Sequence, residues 1–291
     1  MSIIYELPQI LNSAKSIFDT LPKGSEPLVP GSVLCCDNLD YLASCCGSDK
    51  KIDLIYIDPP FFTGADYKAR LVENDTVSTP VAYSDRWESL PDFLTSLTVR
   101  LMFMKEVLSD SGLIAVHLDA HAVHYVKVIM DELFGSNHFV NELIWSYKSG
   151  GAGSRSFSRK HDTILLYSKG RNYYFLPQKE VSYNRGGKPY RFKGVQEFQD
   201  SHGRWYTLVN RKDVISVDMV GRTSSERTGY ATQKPEKLLE ILIASCCPEG
   251  GLCADFFCGS GSFGAAAKKL SREYILCDIS PLAIKITKER L

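Results

Sequence analysis

At 291 residues, with 44% hydrophobic and 23% charged residues, the chain can bury a large core as one sizeable domain or as one domain with an inserted lobe, which excludes disorder and fibres. Its 34 basic residues balance 34 acidic ones overall, but from Lys148 to Asp213 there are 14 Lys and Arg against 5 Asp and Glu, leaving 20 against 29 elsewhere. A basic segment therefore sits in an acidic body. No apolar run approaches the roughly 18 residues that a membrane span needs, and the amino terminus has no basic leader, so a cytoplasmic location without membrane contact is expected. Nine cysteines, paired or single but never at Cys-x-x-Cys spacing, predict neither zinc nor disulfides.

In chain order, a helix is predicted from about Pro8 to Phe18, then a polar, proline-rich connector. Ser32 to Cys36 reads as a short apolar strand ending at Asp37-Asn38, with Leu39, Leu42 and Ala43 marking a helix just after it. Asp37 thus falls at a strand's carboxyl end, where open α/β sheets bind ligands, although Asp and Asn there suit a plain helix cap equally well. The strand Lys51 to Ile57 runs into Asp58-Pro59-Pro60-Phe61. Two prolines cannot donate to a sheet ladder and bias their predecessors away from helix, so the chain leaves the sheet as a stiff turn. A carboxylate, a neighbouring carbonyl and an aromatic face can together hold an exocyclic amine and stack the flat ring that carries it. A nucleobase fits; the plainer alternative is a buried strand that happens to end in Asp-Pro, with Phe61 in the core.

Thr63 to Glu88 is polar and aperiodic, with Tyr67, Arg70, Tyr83, Asp85, Arg86 and Trp87, and is expected to be a mobile lid. Pro91 opens a helix to about Ser109, followed by a strand from Gly112 to Leu118, a helix from His121 to Phe134, a strand from Phe139 to Tyr147, a glycine- and serine-rich loop from Lys148 to Ser158, and a strand from Asp162 to Tyr167. Of His117, His121 and His124 only the last two can share a helix, so a metal site is not expected. Arg171 to Tyr230 holds short strand-like pieces broken by glycines and no long helix, with Arg and Lys interleaved with aromatics. That mixture suits phosphate and base contact, and Arg185, Lys188, Arg191 and Lys193 are candidate DNA-binding residues. Thr232-Gln233-Lys234-Pro235 then leads into an apolar helix. Next come the strand Leu252 to Phe257, the turn Cys258 to Gly264 and an alanine-rich helix. Gly259, Gly261 and Gly264 follow the pattern G-x-G-x-x-G, and Asp278 ends the next strand about where a ribose-binding acid belongs, so a nucleoside cofactor is expected.

Asp-Pro-Pro-Phe, a basic insertion, Gln233-Lys234-Pro235 and then Asp255-Phe256-Phe257-Cys258-Gly259-Ser260-Gly261, in that order, resemble the S-adenosylmethionine-dependent amino-methyltransferases of DNA in their β arrangement, where the catalytic motif precedes the cofactor motif. The resemblance runs from about Gly31 to Leu291; the segments Asn141 to Trp145 and His161 to Lys169 are similar to parts of adenine-specific and type III modification subunits. Phe62 departs from the family's frequent Asn, Ala231 from a common Pro, and Ser262-Phe263 from a frequent Thr-Thr.

The resemblance implies an α/β fold with a Rossmann-like, seven-stranded, mostly parallel sheet flanked by helices. Residues 1–170 would be its catalytic part, 171–230 a target-recognition insertion and 231–291 its cofactor-binding part. It implies that S-adenosylmethionine is held by Asp37, Asn38, Asp58, Gln233, Lys234, Asp255, Phe256, Phe257, Gly259, Gly261 and Asp278. It implies catalysis by Asp58, Pro59, Pro60 and Phe61 on a flipped-out base in double-stranded DNA. Asp at position 58 favours the N6 amine of adenine over the N4 amine of cytosine, again by resemblance. A homodimer and a companion restriction enzyme stay open. Two other classes remain: a dinucleotide-dependent oxidoreductase, which leaves the Asp58 turn without a role, and a non-catalytic nucleic-acid-binding partner, which would bind cofactor without turnover.

Overall fold

The computed structural model describes residues 3–73, 76–149 and 154–291. Its elements are α1 (Ile3–Thr20), β1 (Ser32–Cys35), α2 (Asn38–Ser44), β2 (Ile52–Ile57), β3 (Asp66–Lys68), β4 (Leu71–Glu73), β5 (Thr76–Ser78), β6 (Val81–Ser84), α3 (Leu90–Val107), β7 (Leu108–Leu118), α4 (Val123–Phe134), β8 (Phe139–Ser146) and β9 (His161–Ser168). After them come β10 (Lys179–Tyr183), β11 (Glu197–Gln199), β12 (Trp205–Asn210), β13 (Val214–Ser216), α5 (Glu236–Cys246), β14 (Leu252–Asp255), α6 (Ser262–Lys269), β15 (Glu273–Asp278) and α7 (Pro281–Arg290).

The main sheet runs β1-β15-β14-β2-β7-β9-β8-β13, every neighbouring pair parallel except the two made by β9. Alternation along β2 explains its layers. Ile55 and Ile57 join the core beneath α1 to α4, whereas Leu54 and Tyr56 join the core beneath α5, α6 and α7. A strand segment covered on both faces is apolar, which is why Leu54 to Ile57 read as an unbroken hydrophobic run.

The sheet has eight strands, one more than the seven expected. The extra one, β13, lies inside the stretch expected to be insertion: Val214, Ile215 and Ser216 pair with Ile144, Trp145 and Ser146, and Ile215 is buried in the core. Three residues are too few for a periodic signal. The separate sheet of the inserted segment, β10-β12-β11, spans Lys179 to Asn210 and is antiparallel.

Helix α1 begins before Pro8 rather than at it, because Ile3, Leu7, Ile10, Leu11, Ala14 and Phe18 form one stripe that packs on the core. The stretch from Thr63 to Glu88, expected to be a mobile lid, holds two small antiparallel pairs, β3 with β6 and β4 with β5. Tyr67 stacks on Tyr83 at 4.8 Å to tie the first pair together. Part of the loop expected at Lys148 to Ser158, residues 150–153, lies outside the described residues.

Candidate functional site

Four neighbouring strands each deliver one acid to the same edge of the sheet. Cys35 of β1 is level with Asp278 of β15, and Asp255 of β14 is level with Leu276 of β15 and Tyr56 of β2. Asp37, Asp278, Asp255 and Asp58 therefore line the carboxyl edge in that order, although the chain visits them as first, fourth, third and second. A cavity of about 380 Å³ opens there, lined by Asp58, Gln233, Lys234, Asp255, Gly259 and Asp278 among others. A smaller one of about 110 Å³ continues past Pro60, Phe257 and Asp278 to Asp37 and Asn38.

The glycine turn is built for close approach. Gly261 caps α6 at φ +73°, a left-handed conformation in which a side chain would meet Thr287, and a Cβ on Gly264 would fall 2.4 Å from the buried Leu276. Asp278 binds this turn to its own strand, accepting from the Gly259 N–H at 2.9 Å and the Ser280 N–H at 2.8 Å. Burial pushes its carboxyl up despite those bonds. Asp255 is 3% exposed and accepts from the Phe257 N–H at 3.0 Å. Burial, aided by the nearby charges of Asp58 and Asp278, drives its carboxyl well above the usual range, so this site favours either a proton or a cation beside Asp255.

Beyond β2, Asp58 accepts from the Lys234 ammonium through Oδ2, while its Oδ1 is buried with no protein partner. Lys234 is itself only 8% exposed. Its ammonium also lies 5.4 Å over the Phe61 ring, which stacks on His117 at 6.2 Å. His117 is wholly buried, with Nδ1 2.8 Å from the Tyr56 hydroxyl and Nε2 3.3 Å from Asp162, which also accepts from Tyr147 at 3.1 Å. A carboxylate needs a donor, so Nε2 carries a proton towards Asp162. The ring props Phe61 from beneath, and both of its nitrogens are taken.

Asp85, 1% exposed, is what holds the proline turn in place. It accepts from the N–H groups of Phe61 (3.1 Å), Phe62 (3.1 Å) and Thr63 (2.8 Å), from the Thr63 hydroxyl (2.7 Å) and from the Trp87 indole (3.1 Å). Phe62 sits at φ +64°, a left-handed conformation that costs a bulky residue about 1–2 kcal/mol and that Asn tolerates better. Those N–H bonds and the contact of Phe62 with Phe93 hold it there. Asp85→Ala should therefore lower stability by roughly 3 kcal/mol, since several half-buried donors lose their acceptor together, each at about 1 kcal/mol. Thermal unfolding measures the loss, and limited proteolysis should cut first between residues 60 and 88.

The remaining candidates divide. Asp37 caps α2 through the Leu39 N–H and pairs with Arg100 at 2.9 Å, with its side chain 37% exposed at the smaller cavity. Asn38 and Phe256 line that cavity, but the Asn38 amide donates to the Phe256 carbonyl at 2.7 Å and its oxygen accepts from Arg100 at 2.6 Å, while the Phe256 ring lies in the core. Both are expected as cofactor contacts; here the Asn38 side chain ties the start of α2 to the end of β14 and to Arg100. Gln233 lines the larger cavity, yet its side chain is used by Thr228 and the Glu226 carbonyl. Arg185, Lys188, Arg191 and Lys193 are all exposed, on the connection between β10 and β11. Asp85, Arg100, His117 with Asp162, and Tyr83 with Tyr230 at the cavity wall escaped the sequence reading of the site. Only Arg100 left a usable sign, a lone cation within an otherwise apolar stretch of α3.

An open, mostly parallel sheet with its acids and glycine turn gathered at the carboxyl edge defines the class: a Rossmann-like α/β domain shaped to hold a nucleoside ligand across that edge. The DNA methylase family (N6_N4_Mtase) matches residues 52–289, and the chain belongs to that family. The Type II methyltransferase M.EcaI of Enterobacter cloacae is 26% identical over 92% of this chain and 71% of its own length. Among solved structures, the M1.HpyAVI–SAM complex aligns with a TM-score of 0.58 over 89% of this chain and 98% of its own at 17% identity. The cytosine-N4-specific PvuII DNA methyltransferase aligns at 0.59 over 93% and 89%, with 14% identity. At such identities these two likenesses speak to the fold alone. No helix among the described residues is long and apolar enough to cross a membrane.

Proposed function

We propose that the chain is a site-specific, cytoplasmic DNA methyltransferase that transfers a methyl group from S-adenosylmethionine to the exocyclic N6 amine of an adenine flipped out of the duplex. The observation that carries this reading is the Asp58 carboxylate beside the glycine turn, with one buried oxygen lacking any protein partner. Adenine is preferred to cytosine on the family resemblance of Asp at position 58.

The residues present suit the cofactor. Asp255, buried and short of a cation, would take the amino-acid ammonium, Asp278 the ribose hydroxyls from the far side of the glycine turn, and Asp37 the adenine amine. When bound, S-adenosylmethionine supplies an electrophilic methyl group on a sulfonium. Asp58 and the Pro59 carbonyl would accept the two hydrogens of the target amine, whose lone pair is otherwise delocalised into the ring. Two acceptors favour a pyramidal nitrogen and stabilise the positive charge that develops there during attack. Phe61, propped by His117, would stack the ring. No covalent enzyme intermediate is needed, and burial pushes the Cys258 thiol far up, which suits a bystander rather than a nucleophile.

In this reading residues 1–170 and 231–291 make the catalytic body and residues 171–230 recognise DNA. Incubating the protein with labelled cofactor and duplex DNA, then identifying the modified base by mass spectrometry, tests it: N6-methyladenine supports the reading, N4-methylcytosine redirects it to the other amine, and no transfer removes it. For the lobe, replacing Arg185, Lys188, Arg191 and Lys193 together by Ala should weaken duplex binding and reduce the slope of log affinity against log salt by about 0.9 per lost phosphate contact. Cofactor affinity should not move. An unchanged salt slope would make the lobe a structural insertion.

A further inference from the structure

Lys234 stands where the target amine would have to be. Its ammonium holds Oδ2 of Asp58 and lies over Phe61, the same carboxylate and the same ring that the reading above gives to the base. Lysine and base therefore compete for the same carboxylate and the same ring face, since the other Asp58 oxygen, though without a partner, is itself buried, and the lysine leaves Oδ2 only by finding another anion, because a nearly buried ammonium is not left unpaired. Two other carboxylates feel its charge, but neither is ready to receive it. Asp162 is already bound by His117 and Tyr147, and Asp255 is fully buried, inclined to be neutral and engaged by the Phe257 N–H. The same cavity that reaches Asp58 and Lys234 reaches the glycine turn, so the amino-acid end of a bound cofactor would bring a carboxylate into space that Lys234 itself lines.

We propose that Lys234 sets the order of binding: it occupies Asp58 in the free protein, and the cofactor's carboxylate draws it away, so that only the cofactor-loaded protein accepts the flipped base. The proposal rests on the methyltransferase reading and adds a role for Lys234 beyond lining the cofactor pocket. Its benefit is chemical, since a base extruded with no methyl donor present would cost unstacking for nothing.

The test uses the recognition site mapped from modified bases in the DNA of an expressing cell, placed in a duplex with 2-aminopurine at the target position. Labelled methyl transfer by the wild-type protein to the unmodified duplex is checked first; its absence would remove the parent reading and this proposal together. With transfer established, 2-aminopurine fluorescence at saturating protein should rise at least fivefold more with S-adenosylhomocysteine than without it. Decarboxylated S-adenosylhomocysteine, which lacks only the carboxylate, should not substitute even when calorimetry shows its site filled. Lys234→Met, of similar length and uncharged, should give the full signal with no cofactor, whereas Lys234→Arg should keep the cofactor requirement. Equal wild-type fluorescence with and without S-adenosylhomocysteine, or an equal response to the decarboxylated analogue, would overturn the proposal even if the Met variant failed to fold. So would a folded Met variant that still needs cofactor.

Discussion

Asp58→Ala should lower methyl transfer by about 10²- to 10³-fold or more, the scale at which enzymes lose rate when one group that stabilises developing charge is removed. The loss should fall on turnover, with the calorimetric affinity for the cofactor nearly intact, because the nucleoside and amino-acid contacts are assigned to Asp37, Asp255 and Asp278. The ion pair with Lys234 adds a consequence for the fold. Stranding a buried charge costs about 3–5 kcal/mol, but this ammonium would keep a cavity to move into, so the fall in stability should be smaller. Near-normal turnover in this variant would reject the mechanism. A large drop in cofactor affinity would instead mean that Asp58 belongs mainly to the methionine end.

Asp255→Asn should separate stability from binding. In the free protein the Asp255 carboxyl is driven well up, so its contribution to stability is present below the ordinary carboxylate pKa of about 3.9 and is lost as pH rises through its folded value. Asparagine keeps an oxygen for the Phe257 N–H and does not titrate. The melting temperature of the variant relative to wild type should therefore increase with pH across that window. Cofactor binding should change in the opposite sense, by about 1.5–3 kcal/mol, or roughly tenfold to 150-fold, through loss of one charge-assisted contact. Wild-type affinity should rise with pH over the same window, because a ligand ammonium favours the ionised carboxylate and its binding expels the proton. Asp278, also pushed up by burial, contributes to the wild-type slope, so the difference between wild type and variant is what reports Asp255. Equal affinities for the two proteins would dismiss the ammonium contact.

What was legible in the sequence was local. Two prolines stiffen the turn after β2 whatever surrounds them, positive φ calls for glycine at position 261, and continuous apolar runs declare strands covered on both faces. The helices and strands of the core, the acids at strand ends and the basic lobe follow from such short-range rules. The tertiary structure decided who meets whom. Pairing of β14 with β2 sets Asp255 beside the Asp58 turn, β13 leaves the inserted segment to extend the main sheet, and Asp85 gathers three N–H groups of the turn, a role that polarity alone did not mark. It also gave the Asn38 and Gln233 amides partners within the protein and gave Lys234 to Asp58. The physical reason is the same in each case: periodicity and propensity act over a few residues, whereas the partner a polar side chain finds depends on the order of strands in the sheet, and a buried carboxylate or amide binds whichever donor that order brings within reach.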